Sequence, residues 1–241
     1  MGYGARGSFV AACLPLAFLF ACGGGETPEP RTPERESAEK PPAERPQISA
    51  SAEIGALDEA KVSQAFQSAQ KDLQRCLADG AKRNELEGGD IAFLVKIGAS
   101  GRVVHARAEK SSIGDRHTEK CMLRVLGKRE WPAPVGGDIG IAKNSFGFDM
   151  PNDERPPTEW TSDRVESAVA SANGKLAECK RGVAGSITAT VYVDPEGAAV
   201  TAGVAASDDS GEGAADCIVG VLKDTKFPSP GSWPAKVTFE L

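Results

Sequence analysis

The chain has 241 residues, 40% hydrophobic, 26% charged and 6% aromatic, with 28 Lys and Arg against 34 Asp and Glu and a formal net charge of -6. That length permits one large or two small globular domains. The acidic balance argues against wholesale phosphate binding, so nucleic acid is not an expected partner, and two histidines offer little for metal or acid–base chemistry.

Arg6 precedes an apolar stretch from Phe9 to Ala21 that runs into Leu19-Phe20-Ala21-Cys22. The stretch is too short to span a bilayer and has the shape of a signal-peptide core, which assigns residues 1–21 to a signal. Leu, any residue, a small residue and then Cys resembles the bacterial lipobox. The resemblance implies that the chain is cut before Cys22 and that the Cys22 thiol carries lipid. A plain secretory cleavage site or a buried hairpin is the alternative. A lipid-anchored chain belongs in the cell envelope, and Gly23 in place of an Asp-type retention signal points by analogy to the outer membrane, facing periplasm or surface.

From Cys22 to Leu57 the chain is Gly, Pro, Glu, Arg, Ser and Ala with almost no large apolar side chain. Such a segment cannot bury enough surface to offset its ordering entropy. It reads as a disordered tether with a root-mean-square reach of roughly 30 Å.

The remainder is one module written twice, over residues 58–150 and 160–241. Shifting the sequence by 96 lays Gly89, Ile91, Val95, Gly101, Val104 and Ser111 on Gly185, Ile187, Val191, Gly197, Val200 and Ser207. The same shift lays Cys121, Val125, Leu126, Trp131, Pro132 and Pro134 on Cys217, Val221, Leu222, Phe227, Pro228 and Pro230. Upstream, a shift of 103 lays Val62, Phe66, Ala69, Leu73 and Cys76 on Val165, Val169, Ala172, Leu176 and Cys179. The difference is one longer loop in the first copy, around Gly80 to Gly88.

Each copy predicts helix, strand, strand, helix, strand. The spacing of 4, 3, 4, 3 along the first segment is an apolar helix stripe, starting near Asp58 in copy one and Thr161 to Asp163 in copy two, where side-chain oxygens can cap free N–H groups. Ile91–Ile97 and Val103–Lys110 flank a Gly-bearing turn, as do Ile187–Val193 and Ala199–Ala205, which predicts a hairpin in each copy. A second helix is expected from about Asp115 to Lys128 and from about Gly211 to Asp224, stopped before Pro132 and Pro228. A last strand holds Phe146 and Phe148 in copy one and Val237 and Phe239 in copy two, and residues 151–159 form a Pro-rich polar linker.

Cys13 leaves with the signal and Cys22 is assigned to lipid, so four cysteines remain, one on each predicted helix. Pairing Cys76 with Cys121 and Cys179 with Cys217 is the only scheme that respects the repeat. Four buried free thiols are the alternative; a compartment outside the cytoplasm favours the disulfides. No Cys-x-x-Cys occurs, which argues against thiol exchange.

The run Gly89, Ile91, Val95, Gly101, Val104, Cys121, Leu126, Trp131, Pro132, Pro134, with Cys76 ahead of it and a closing Phe148 strand, resembles the AgmX/PglI C-terminal domain, a TonB C-terminal-like family. Copy two repeats it with Gly185, Gly197, Cys217, Phe227 and Pro228. The resemblance implies an α+β fold of two tandem TonB-C-like domains and a place in gliding motility or an envelope complex. TonB proper begins with a membrane-spanning helix, and this chain begins with a lipobox.

No Gly-x-Ser-x-Gly elbow, phosphate-binding loop or His-Glu-x-x-His occurs, so no catalytic, cofactor or metal site is expected. His105 and His117 read as surface histidines. Ser207 to Glu212 lacks the alternating carboxylates of a calcium loop and reads as an acidic turn before a helix, suited to the helix dipole. Trp131, Trp160 and Trp233 could line a glycan groove, although Trp131 takes the place of Phe227 in the repeat.

Arg116, Lys120, Arg124 and Lys128 recur every four residues along the second helix of copy one. Their counterparts are Glu212, Asp216, Gly220 and Asp224, so the charge is inverted at three of four positions. The two faces are expected to attract each other, within one chain or between two chains by self-association; two independent solvated faces are the alternative. The expected function is a non-catalytic, lipid-anchored protein-binding adaptor or scaffold. Its last strands, around Phe146 to Phe148 and Val237 to Phe239, would add a partner strand, with two modules giving avidity. Peptidoglycan binding through Trp160 or Trp233 and the basic face of Arg116, Lys120, Arg124 and Lys128 is the second expectation, and a periplasmic hydrolase using His105 with a carboxylate is the third.

Overall fold

The computed structural model describes residues 54–150 and 155–241. The expected signal segment, Cys22, the expected tether up to Glu53 and residues 151–154 lie outside the described residues. Copy one runs α1 (Glu59–Gly80), β1 (Gly89–Gly98), β2 (Val103–Ser111), α2 (Arg116–Gly127) and β3 (Ile139–Phe148). Copy two runs β4 (Thr158–Trp160), a 3-10 turn (Ser162–Arg164), α3 (Glu166–Cys179), β5 (Ile187–Val193), β6 (Ala199–Ala206), α4 (Asp209–Lys223) and β7 (Ala235–Glu240). The described chain is therefore mixed α and β, with four α-helices and two sheets of order β2-β1-β3 and β4-β7-β5-β6.

The same physics builds each copy. Along β1, Ile91, Phe93, Val95 and Ile97 alternate inward and meet Phe66, Leu73, Met122 and Leu126 from the helices. In copy two, Ile187, Ala189, Val191 and Val193 meet Leu176, Ile218 and Leu222. Asp58 caps α1 by accepting a hydrogen bond from the Lys61 N–H at 3.1 Å. Trp131 closes the first core edge-on to Phe66, with ring centroids 4.9 Å apart, and Phe227 closes the second. Both hairpin turns need glycine. Gly101 and Gly197 have φ of 77° and 80°, and a Cβ there would lie 2.6 Å from the Trp131 carbonyl oxygen and 2.3 Å from that of Phe227. The turn thus backs onto the chain just after the second helix, at the same place in both copies.

Disulfides join Cys76 to Cys121 and Cys179 to Cys217, tying α1 to α2 and α3 to α4. The ties are local to each copy.

Four boundaries differ from the sequence reading. The tether does not extend to Leu57: the Gly55 N–H donates to the Ile139 carbonyl at 2.9 Å, and Ala56 exchanges hydrogen bonds with Val135. The linker does not extend to Glu159, because β4 begins at Thr158 and runs parallel to β7, with the Thr158 N–H on the Pro234 carbonyl. Thr161 does not start a helix: it opens the 3-10 turn without a side-chain cap bond, and its hydroxyl turns to Asp163 instead. The last strands are also not equivalent at the expected residues. The ladders place Ala142 opposite Val95 and Val237 opposite Val191, so Phe239 corresponds to Asn144 and Leu241 to Phe146, the Leu241 N–H donating to the Ile187 carbonyl at 2.9 Å.

Domains of this size have small cores, so the crosslinks carry weight. Replacing Cys76 and Cys121 together with Ala is expected to lower the unfolding free energy by about 2–4 kcal/mol, read by urea denaturation of oxidised wild type against the variant.

Candidate functional site

A sheet with helices on one face leaves the other face and its edges to be covered. Here the two copies cover each other and belong to one compact unit. β2 lies against β6 and β5, α2 against β6, and α4 against β2. Residues related by the 96-residue shift meet: Arg116 Nη2 donates to Glu212 Oε1 at 2.7 Å, and Lys120 Nζ to Asp216 Oδ2 at 2.7 Å. Such self-matching contact is the signature of an approximate two-fold arrangement, here within one chain. Arg116 Nε also donates to Asp216 Oδ1 at 2.8 Å. Hydrogen bonds from Lys120 and Arg116 hold the Asp216 carboxyl below its ordinary value. Arg124, Lys128 and Asp224 stay outside this cluster: all three are exposed, and Arg124 Nε reaches only the Lys120 carbonyl. The inverted charges thus meet within the chain at the helix starts and diverge toward the helix ends.

The residues that seal the interface are ones the charge pattern does not single out. Glu119, fully buried, accepts from the Ser111 hydroxyl at 2.6 Å and from the Val204 N–H at 3.0 Å, and a Cβ on Gly203 would stand 2.4 Å from its carboxyl. Burial pushes Glu119 up to about 7, against the pull of those hydrogen bonds. Arg107 donates to the carbonyls of Ala206 and Ser207 at 3.2 and 2.7 Å and to Asp209 at 2.8 Å. Glu119 and Arg107 thereby occupy backbone groups along the outer edge of β6, which would otherwise be a template for pairing. Burial alone would raise the Asp209 carboxyl, but Lys96 at 2.5 Å, His105 and Arg107 hold it below its ordinary value. The signal for these residues lies in the repeat itself: Glu119 stands where copy two has Ala215, and Arg107 where it has Gly203.

The longer loop of copy one docks here as well. Asn84, Leu86, Glu87 and Gly88 are buried while Lys82, Arg83 and Glu85 face solvent. Asn84 donates to the Thr201 hydroxyl at 3.1 Å; the Tyr192 hydroxyl and Lys236 Nζ both donate to the Gly88 carbonyl, at 3.1 and 2.9 Å. Lys236 stands 5.4 Å over the Tyr192 ring.

The aromatic and histidine candidates are placed elsewhere. Trp160 is buried in the second core, which removes it as a glycan platform; the ring has left the surface to fill space beside Val237. The Trp233 indole N–H is taken by the Pro156 carbonyl at 3.0 Å, with Arg155 over the ring. His105 is not a surface histidine: it is half-buried, with Nε2 3.5 Å from Asp209 Oδ1. His117 is exposed beside the start of α2. Asp208 caps α4, accepting from the Gly211 N–H at 2.8 Å.

One long sheet edge is left over. β7 is paired on both sides at Val237, which sits between β4 and β5, and the Phe239 side chain is in the core. β3 pairs with β1 on one side only. On the other side, among the described residues, it has a single bridge at Ile139. The Ile139 carbonyl faces outward to Gly55, and the Ser145 N–H also faces outward, satisfied by its neighbour's Asn144 Oδ1 at 2.8 Å. Backbone groups alternate sides along a strand, so Lys143, Ser145 and Gly147 all point theirs away from the sheet. Lys143, Asn144, Ser145 and Gly147 are exposed. Phe146 and Phe148 are half-buried and stacked, with centroids 6.2 Å apart.

No family model matches the chain, and neither a curated protein nor a solved structure matches it.

Two ion pairs of the interface differ in burial, with the Arg116 and Glu212 side chains 9% and 12% exposed and those of Lys120 and Asp216 48% and 57%. Arg116→Met is expected to cost about 3 kcal/mol or more because Glu212 is left buried and unpaired, whereas Lys120→Ala costs under about 1 kcal/mol. Urea denaturation of both variants checks the ratio.

Proposed function

We propose that this chain is a non-catalytic, lipid-anchored envelope protein that binds a partner protein by taking a partner strand onto the outer edge of β3. One observation carries the reading: Lys143, Ser145 and Gly147 aim their backbone groups out of a ten-residue strand that has no neighbour on that side beyond Ile139, among the described residues. A partner strand there would satisfy those groups and cover the half-buried Phe146 and Phe148, giving main-chain affinity and side-chain selectivity together. The equivalent edge of β7 is shorter and carries β4, so one binding edge per chain is expected, not the avidity of two.

The rest of the reading comes from the sequence. The repeat resembles the AgmX/PglI C-terminal domain, which supports two tandem TonB-C-like domains serving gliding motility or another envelope complex. The element order of each copy and the disulfide within each suit that resemblance and a compartment outside the cytoplasm. The lipobox-like Leu19 to Cys22 supports attachment to the membrane, with the outer membrane favoured by Gly23.

In-cell crosslinking from position 145 followed by mass spectrometry would identify the strand's occupant. Ser145→Pro removes an outward N–H from an edge strand and should leave the fold stable while lowering recovery of that occupant at least about tenfold. Undiminished recovery by a folded Ser145→Pro variant would exclude strand addition at β3.

A further inference from the structure

The loop between α1 and β1, residues 81–88, is where copy one exceeds copy two, and it is also the part of copy one seated on the helix-free face of the second sheet. Its buried side holds Asn84 on Thr201 and Gly88 on Tyr192 and Lys236. Between those two contacts lies Glu87, with none of its surface exposed. Neither of its carboxyl oxygens has a hydrogen-bond partner. Its surroundings explain why it stays unpaired. A Cβ on Gly80 would lie 2.2 Å from its carboxyl, so α1 closes over it. From α2 it faces Asp115, Thr118 and Glu119, two of them carboxylates. The Arg83 guanidinium of its own loop is committed to Asp115 at 2.7 Å and Thr118 at 3.0 Å. From the second sheet, Tyr192 and Lys236 are turned to the Gly88 carbonyl, and Lys236 senses Glu87 only through its charge, together with Glu159 and Asp90.

A buried carboxyl with no partner is stable only when it is neutral. We propose that the 81–88 loop is a proton-operated latch between the two copies: with Glu87 protonated the loop stays seated on the second sheet, and loss of that proton drives the loop out so that the carboxylate can be hydrated. Opening would uncover Tyr192 and widen the cleft at Thr201, which Arg83, Asp115, His117, Lys120 and Asp216 line. The inference is independent of strand addition at β3.

The direction follows from linkage. Burial, against the pull of the Thr118 hydroxyl and Arg83 and reinforced by Asp115 and Glu119, pushes the closed-state carboxyl to about 8, while hydration in the opened loop returns it to its ordinary value of 4.5. The closed loop then holds a proton that the open loop has released. The latch is tightest below 4.5 and weakens as pH rises, the open-to-closed ratio increasing about tenfold per pH unit until it levels off near 8.

Hydrogen exchange of the full chain tests this, with protection of the 81–88 amides corrected for intrinsic exchange and the β1 core amides as a control for global unfolding. Wild type should lose about 70-fold of loop protection between pH 5.5 and 7.5, with β1 still protected. Glu87→Gln should remove that dependence. If Glu87→Gln fails to fold, Glu87→Met, which is also unable to titrate, should show the same flat profile. A wild-type loop whose protection ignores pH, or one whose dependence persists in the non-titrating variant, would overturn the latch.

Discussion

Each copy of this repeat is a small sheet with two helices on one face, and such a unit leaves its other face and both outer strands bare. The structure depends on how that surplus is disposed of. Exposed apolar and edge surface is removed by bringing β2 beside β6, with α2 of copy one against β6 and α4 of copy two against β2. The cost is that the polar groups carried by those faces lose water, and each then needs a partner. Arg107, Arg116 and Glu119 supply several of those partners from copy one, while copy two contributes carbonyls, the Val204 N–H and carboxylates at the start of α4.

The approximate two-fold relation makes the division of labour intelligible. A duplicated module meeting itself would place like charges against like at the start of its second helix, since Arg116 and Lys120 would face the same residues. Glu212 and Asp216 resolve that conflict. The same divergence appears where space was needed: Gly203 leaves room for the Glu119 carboxyl, and Arg107 reaches across from the position equivalent to Gly203. Electrostatic fit at such a face selects the arrangement more than it stabilises it, because buried ion pairs lose much of their Coulombic gain to desolvation.

The edges divide along the same line. Three outer strands are dealt with: β2 and β6 by each other, and β4 by its three-residue length. β3 is the exception. Its ten residues pair with β1 alone, and among the described residues the other side has a single bridge at Ile139, which is what makes it a place for another strand.

Helices, hairpins and turns were legible in the sequence because their causes are local: the 4, 3, 4, 3 stripe from Val62 to Cys76, the alternation from Ile91 to Ile97, and glycines at 101 and 197 that meet the chain behind them. The disulfides were legible because a repeat allows positions to be compared, and comparison also exposed the inverted charges at 116 and 120. Glu87, Arg107 and Glu119 escaped because charged side chains ordinarily face water, and only packing against a second copy removes it. The 81–88 loop read as a simple insertion, since nothing within it announces the sheet on which it docks. Strand pairing was likewise invisible: whether Val237 or Phe146 lies beside an empty edge depends on where residues 158–160 fall in space. The sequence by itself determined the units, their covalent ties and the charges they carry. Tertiary structure alone decided which faces meet, which carboxyls lose water and which strand is left without a neighbour, because those outcomes depend on contacts between residues about a hundred positions apart.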